Sequence, residues 1–178
     1  MILEYHKTRD GVISPTRANP SDAGLDIYFN PKPGANSPVT LKPGDTALFS
    51  TGLKFGVPHG YMLEVKNRSG NASKRSLLVG ACVIDSGYDG EVFVNLHNVG
   101  STTQVIESGM KIAQVVLIPV VHFRLLESNA DDLYEYPITI SARGSNALGS
   151  TDASPAKQAV DVYDIPKNWE LGDPPWQS

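Results

Sequence analysis

The chain has 178 residues, 40% of them hydrophobic, and a formal net charge of −4. That length fits one domain, or one domain with an appendage. The acidic balance excludes the broad basic face of a protein that binds a nucleic-acid polymer, but leaves room for a small anion held by a few local cations and a metal. A single cysteine, Cys82, excludes an intramolecular disulfide and suits a reducing compartment. The first residues lack a signal-peptide pattern, and no segment approaches the length of a membrane helix, so no membrane association is expected.

The 16 Gly and 13 Pro predict many turns and short elements rather than long helices. Turn signals recur at Pro31-Lys32-Pro33-Gly34, Lys42-Pro43-Gly44-Asp45, Pro58-His59-Gly60, Gly87 to Gly90 and Glu107-Ser108-Gly109. Thr46 to Val57 is β-rich and interrupted by Gly52 and Gly56; Tyr61 to Val65 is a further short strand. A short helix is predicted after Gly70, through Asn71 to Ser76. Val83 to Val92 places two apolar strands around a tight polar turn, which predicts a hairpin. Val92, Val94 and Leu96 alternate with Phe93, Asn95 and His97, the period of a strand with one buried face. Ile112 to Phe123 is almost wholly apolar and predicts a strand buried on both faces, bent at Pro119. Strands at this spacing predict an all-β sandwich or barrel, with a jelly roll the leading candidate. At Ala142 the composition turns small and polar, and Asp161 to Ser178 is acidic and carries both tryptophans, Trp169 and Trp176. This divides the chain into a β domain over 1–141 and an extended arm and tail over 142–178.

Three segments are candidates for chemistry. Asp85, at the start of the predicted turn, is a carboxylate that a rigid turn can position and partly desolvate, as a general base requires; Tyr88 can pack against a flat ligand. Taken alone, a turn Asp capping its own backbone is the better reading. Asn67-Arg68-Ser69-Gly70 offers a guanidinium fork, a hydroxyl and a close backbone approach for phosphate, against the alternative of an ordinary cap and turn. Gly144 to Thr151 mimics the spacing of a Walker A loop, but Ser150 stands where that loop needs lysine, and neither flanking element is apparent. A polyphosphate flap assisted by Arg143 and a flexible linker are equally compatible with it. The histidines His6, His59, His97 and His122 lack metal-ligand spacing, and Cys82, in an apolar strand, reads as a buried, inert thiol.

Read together and in order, these segments resemble the five motifs of the trimeric dUTPase family: Asp22-Ala23-Gly24-Leu25-Asp26-Ile27; Arg68-Ser69-Gly70; Val83-Ile84-Asp85-Ser86-Gly87-Tyr88-Asp89-Gly90; Gly109-Met110-Lys111-Ile112-Ala113-Gln114; and Arg143-Gly144-Ser145 with Gly149-Ser150-Thr151. The resemblance implies an all-β, jelly-roll-like distorted β-barrel with an extended C-terminal arm, assembled as a homotrimer whose active sites are shared between subunits. It implies hydrolysis of dUTP to dUMP and pyrophosphate with Mg²⁺, which keeps uracil out of DNA and supplies dUMP for dTTP synthesis, in the cytoplasm of a bacterial or virus-infected cell. Asp85 would be the base that activates water for attack on the α-phosphorus. Tyr88 would lie against the deoxyribose, and the backbone of Cys82, Val83 and Ile84 would read the uracil edge. Arg68, Ser69, Gly70 and Gln114 would hold the phosphates, and Asp26 would act through water near a magnesium ion held mainly by the triphosphate. Arg143, Gly144, Leu148, Gly149 and Ser150 would close over the nucleotide.

The sequence departs from the family pattern at Cys82, where glycine is usual, at Ala147-Leu148, where Gly-Phe is usual, and at Asp152, where glycine is common. Leu148 can cover a base but stacks less well than an aromatic ring. The chain also continues past the family's usual end, and the tail is expected to pack on the trimer or dock a protein partner. A dCTP deaminase is the nearest rival by resemblance, but it would need a glutamate where Asn95 stands and usually a tryptophan where Tyr88 stands. A non-catalytic jelly-roll module has no need for Asp26, Asp85, Gln114 and Arg143 in register.

Overall fold

The computed structural model describes residues 1–129, and every element in it falls in one compact unit, Met1–Arg124. The expected boundary at 141/142, the arm with Arg143, Gly144, Leu148, Gly149 and Ser150, and the tail all lie outside the described residues.

In chain order the elements are β1 (Glu4–Lys7), β2 (Leu25–Tyr28), β3 (Val39–Leu41), β4 (Thr46–Ser50), β5 (Leu53–Gly56), β6 (Tyr61–Lys66), α1 (Ser69–Arg75), β7 (Leu77–Val79), β8 (Val83–Ile84), β9 (Phe93–Asn98), β10 (Gln104–Ile106) and β11 (Lys111–Pro119). They form a four-stranded sheet β2-β11-β6-β8, a three-stranded sheet β4-β9-β7, and two pairs, β1-β5 and β10-β3. All pairings are antiparallel. The fold is all-β and jelly-roll-like, as the sequence predicts; among the described residues its sheets do not hydrogen-bond into a closed barrel.

The core is one cluster fed by every sheet. Ile27, Leu63, Val65, Ile112 and Val115 come from the four-stranded sheet, and Phe49, Leu77, Val94 and Leu96 from the three-stranded one. Phe29 meets Phe49 edge to face, with ring centroids 5.0 Å apart, a favoured aromatic geometry. The alternation read in β9 is realised: Val94 and Leu96 are buried while Phe93, Asn95 and His97 are not. Gly52 does break the 46–57 run, at a φ of +68° that favours glycine.

Three expectations are corrected. Val83 to Val92 is not a hairpin: β8 pairs with β6, and β9 pairs with β4 and β7, so the turn crosses from one sheet to another. Local turn chemistry cannot distinguish a hairpin from such a crossing, because strand partners are chosen by burial elsewhere in the fold. β11 ends at Pro119, and only Ile112, Ala113 and Val115 are buried, with Val116, Leu117 and Ile118 half-covered. Cys82 precedes β8 rather than lying within it and is half-buried, because β8 is the edge strand of its sheet.

Among the described residues, no buried side-chain nitrogen or oxygen lacks a hydrogen-bond partner. Asn98 donates to the carbonyls of Leu41 (3.0 Å) and Thr102 (2.8 Å) and accepts from the Gly100 N–H at 3.1 Å. It ties the end of β9 to β3 and to the following turn. Asn98→Ala would leave these groups unpaired, at about 1–3 kcal/mol each. A marked fall in melting temperature is expected by calorimetry; an unchanged value would show that water replaces the lost contacts.

Candidate active site

Two groups of candidate residues form at opposite ends of the four-stranded sheet. The first centres on Asp26 in β2. The Asp26 carboxylate accepts from Arg68 Nε at 2.7 Å and from Lys111 Nζ at 2.8 Å, one cation on each oxygen. Burial alone would raise its pKa, but the hydrogen bonds from Lys111 and Arg68, and their charges, hold it below the ordinary carboxyl range. The hydrogen bond to Asp26 correspondingly raises Lys111. Arg68 caps α1 through its backbone. Its Nε is committed to Asp26, and its two terminal nitrogens have no partner among the described residues, a free fork suited to phosphate.

Gln114 stands directly opposite Asp26 in the β11–β2 ladder and opposite Lys66 in the β11–β6 ladder. Its amide donates to the Asn67 carbonyl at 2.9 Å, so one side chain links β11 to the loop that carries Arg68. Gly24 makes room for it: a Cβ at position 24 would lie 2.1 Å from Gln114 Oε1. Ser69 and Gly70 are exposed in the first turn of α1 beside this group. Sequence reasoning placed Lys111 in a motif without giving it a role, and overlooked Gly24; the signal for both was their place inside motifs four and one.

The second group surrounds the 85–92 turn. A cavity of about 240 Å³ is lined by Leu48, Ala81, Val83, Ile84, Asp85, Tyr88, Glu91, Val92, Phe93 and Asn95. It brings together Asp85, Tyr88, Val83 and Ile84 of the predicted site. A larger, more open cleft of about 810 Å³ lies between β1, β5 and residues 87–89, so Tyr88 stands in the wall of both. Only the smaller cavity contains Asp85 and the β8 strand. The Val65 N–H donates to the Cys82 carbonyl at 2.7 Å. The alternation of an antiparallel ladder then turns the N–H and C=O of Val83 toward the unpaired edge of the sheet.

The described residues of the chain do not by themselves bring the two groups together. Asp26 and Asp85 are three strand spacings and about four residues along the strand apart. At about 4.8 Å per spacing and about 3.3 Å per residue, that is roughly 20 Å between backbones.

A family model described as dUTPase matches residues 10–151, most of the chain. The chain belongs to the dUTPase family. The deoxyuridine 5'-triphosphate nucleotidohydrolase of Chlamydia trachomatis is 35% identical over 149 residues, covering 83% of this chain and 96% of that protein. Its counterpart from Chlamydia pneumoniae is 40% identical over 142 residues, covering 79% and 91%. Among solved structures, a Staphylococcus bacteriophage 80alpha dUTPase variant with dUpNHpp superposes with a TM-score of 0.70 at 25% identity, covering 84% of this chain and 98% of that one. A dUTPase variant from phage phi11 of S. aureus, described with a structural Mg(II) ion, gives a TM-score of 0.64 at 25% identity, covering 72% and 97%. The activity of this dUTPase is the hydrolysis of dUTP.

Two outcomes follow from the Asp26 group. Gly24→Ala should displace the Gln114 side chain and lower kcat/KM for dUTP by about tenfold or more, as misplaced positioning groups do; unchanged kinetics would show that Gln114 relaxes freely. Asp26 has a folded pKa below its unfolded value of about 3.9, so its contribution to stability is full above that value and is lost as pH falls through the folded one. Melting curves from pH 6 downward should therefore fall less steeply below about pH 4 for Asp26→Asn than for the unaltered protein. Parallel curves would remove Asp26 from the acid transition.

Proposed function

We propose that this dUTPase forms dUMP and pyrophosphate by magnesium-assisted attack of a water activated by Asp85 on the α-phosphorus, at sites completed by a second subunit of a homotrimer. The observation that supports this most is the separation of the two groups. The base and the pocket lie at one end of the sheet, Asp26 with the cations gathered on it lies roughly 20 Å away between backbones, and the chemistry needs them in contact. A symmetric assembly meets that need by setting one subunit's Asp85 turn against a neighbour's Asp26, Arg68 and Gln114.

In this reading uracil enters the small cavity, where the outward N–H and C=O of Val83, flanked by Cys82 and Ile84, offer one donor and one acceptor to its edge. A base with the opposite pattern would leave both unpaired, which a dry pocket penalises strongly. Tyr88 lies against the deoxyribose. The free fork of Arg68, with Ser69, Gly70 and the Gln114 amide, receives the phosphates, and Asp85 takes the proton from the attacking water. The arm residues Arg143, Gly144, Leu148, Gly149 and Ser150 close over the nucleotide. Cys82 as the sole cysteine suits a cytoplasmic enzyme.

The donor set fits magnesium held by the nucleotide. No group of three or more His, Cys, Asp or Glu able to hold a metal occurs among the described residues. Both Asp26 oxygens are occupied by cations, which leaves Asp26 to act through water. Magnesium, when bound, neutralises triphosphate charge and polarises the phosphorus.

Pyrophosphate release should be seen from dUTP and should cease with EDTA. Asp85→Asn should retain nucleotide binding while turnover falls by about a thousandfold or more, consistent with loss of a general base and of water positioning; near-normal turnover would remove Asp85 from that role. Mixing inactive Asp85→Asn and Arg68→Ala subunits should restore about a quarter of the sites, since random assembly pairs an intact Asp85 with an intact neighbouring Arg68 that often. Absence of any recovery would place the whole site on one chain.

A further inference from the structure

The turn that carries Asp85 and Tyr88 joins strands of two different sheets, so no ladder spans it. The Tyr88 N–H donates to the Asp85 carbonyl at 3.2 Å and closes its first half; side chains set the rest. The Ser86 hydroxyl donates to the Val57 carbonyl at 3.1 Å. Farther along, the Tyr88 hydroxyl donates to the backbone carbonyl of Glu91 at 3.0 Å. Gly90 lies beneath that link, where a Cβ would come within 2.3 Å of the Tyr88 hydroxyl. The direction of the Tyr88 ring therefore depends on where the Glu91 carbonyl is held.

The Glu91 side chain holds it. One carboxylate oxygen accepts from the Gly52 N–H at 2.9 Å and from the Ser50 hydroxyl, and lies 3.6 Å from Arg9. Arg9 in turn donates to Ser50 Oγ at 2.8 Å and to the Asn30 carbonyl. Lys32 approaches the second oxygen at 4.0 Å. The Glu91 side chain is only 11% exposed, so this is an anchored group and not a surface pair. The next residue is fixed as well: the Val92 N–H donates to the Leu53 carbonyl at 2.8 Å. Glu91 thus pins the far end of the turn to the β4–β5 connection, and its carbonyl sets the wall that Tyr88 forms between the small cavity and the larger cleft beyond it.

We propose that Glu91, anchored by Ser50, Gly52 and Arg9, is a positioning residue for sugar selection: it fixes the Tyr88 ring as the wall against which a 2′-hydroxyl would clash. The inference rests on the reading of Tyr88 as the deoxyribose contact. Glu91 acts through Tyr88: its Oε1 is committed to Gly52, Ser50 and Arg9. Releasing it lets the ring swing toward the open cleft, which makes room for ribose without moving the phosphate cations on the other side of the sheet.

The test uses the full assembled enzyme and measures kcat and KM for dUTP and UTP, with melting temperatures. Glu91→Ala should raise the UTP-to-dUTP ratio of kcat/KM by about tenfold or more, as misplacement of a positioning contact does. Glu91→Gln keeps the acceptor for Gly52 and Ser50 and should restore most of the selectivity. Tyr88→Phe removes only the hydroxyl link and should relax selection similarly, with no further change when combined with Glu91→Ala. If Glu91→Ala fails to fold, Glu91→Gln and Tyr88→Phe decide: tight selection in Tyr88→Phe overturns the proposal. A parallel loss for both nucleotides in Glu91→Ala, at unchanged ratio, also overturns it and leaves Glu91 a structural residue. If Tyr88→Ala leaves selection intact, the reading of Tyr88 itself fails, which separates that failure from one of Glu91 alone.

Discussion

Strands in a sheet are held about 4.8 Å apart by their backbone hydrogen bonds, whatever their side chains. The order β2-β11-β6-β8 therefore places Asp26 and the start of the Asp85 turn at opposite edges of one rigid sheet. Neither group can travel to the other without breaking a ladder that also carries Ile27, Leu63, Val65 and Val115 into the core. The local geometry of each group, and the reading of the site as shared between subunits, both follow from that spacing.

The two groups are organised by different means. Around Asp26, long cationic side chains from the α1 cap and from β11 converge on one carboxylate, and Gly24 clears the space beside it. Around Asp85, the shape comes from backbone carbonyls and amides captured by Ser86, Tyr88 and Glu91. Glu91, like Asp26, is held below the ordinary carboxyl range: burial opposes this, while the Ser50 and Gly52 hydrogen bonds and the Arg9 and Lys32 charges outweigh it. A buried carboxylate is tolerated where every lone pair that faces the protein finds a donor.

The candidate residues are legible in the sequence because they stand in short segments that resemble the family's motifs. Asp26, Arg68, Asp85, Tyr88 and Gln114 were all identified from motifs in order. Their partners were not: Arg9, Ser50 and Gly52 lie about 40 or more positions from Glu91 along the chain, and Lys111 and Arg68 reach Asp26 from two other elements. A sequence window carries no signal for contacts made across sheets.

The sequence by itself determined the all-β class, the alternation of β9, the helix near Gly70, and the family through its motifs, because these depend on side-chain type and on spacing within a few residues. Only the tertiary structure decided which strands pair. It turned an expected hairpin into a crossing between sheets, left Cys82 half-exposed beside an edge strand, and set Asp26 apart from Asp85. Pairing is settled by the burial of distant faces against one another, and no stretch of sequence contains both sides of that contact.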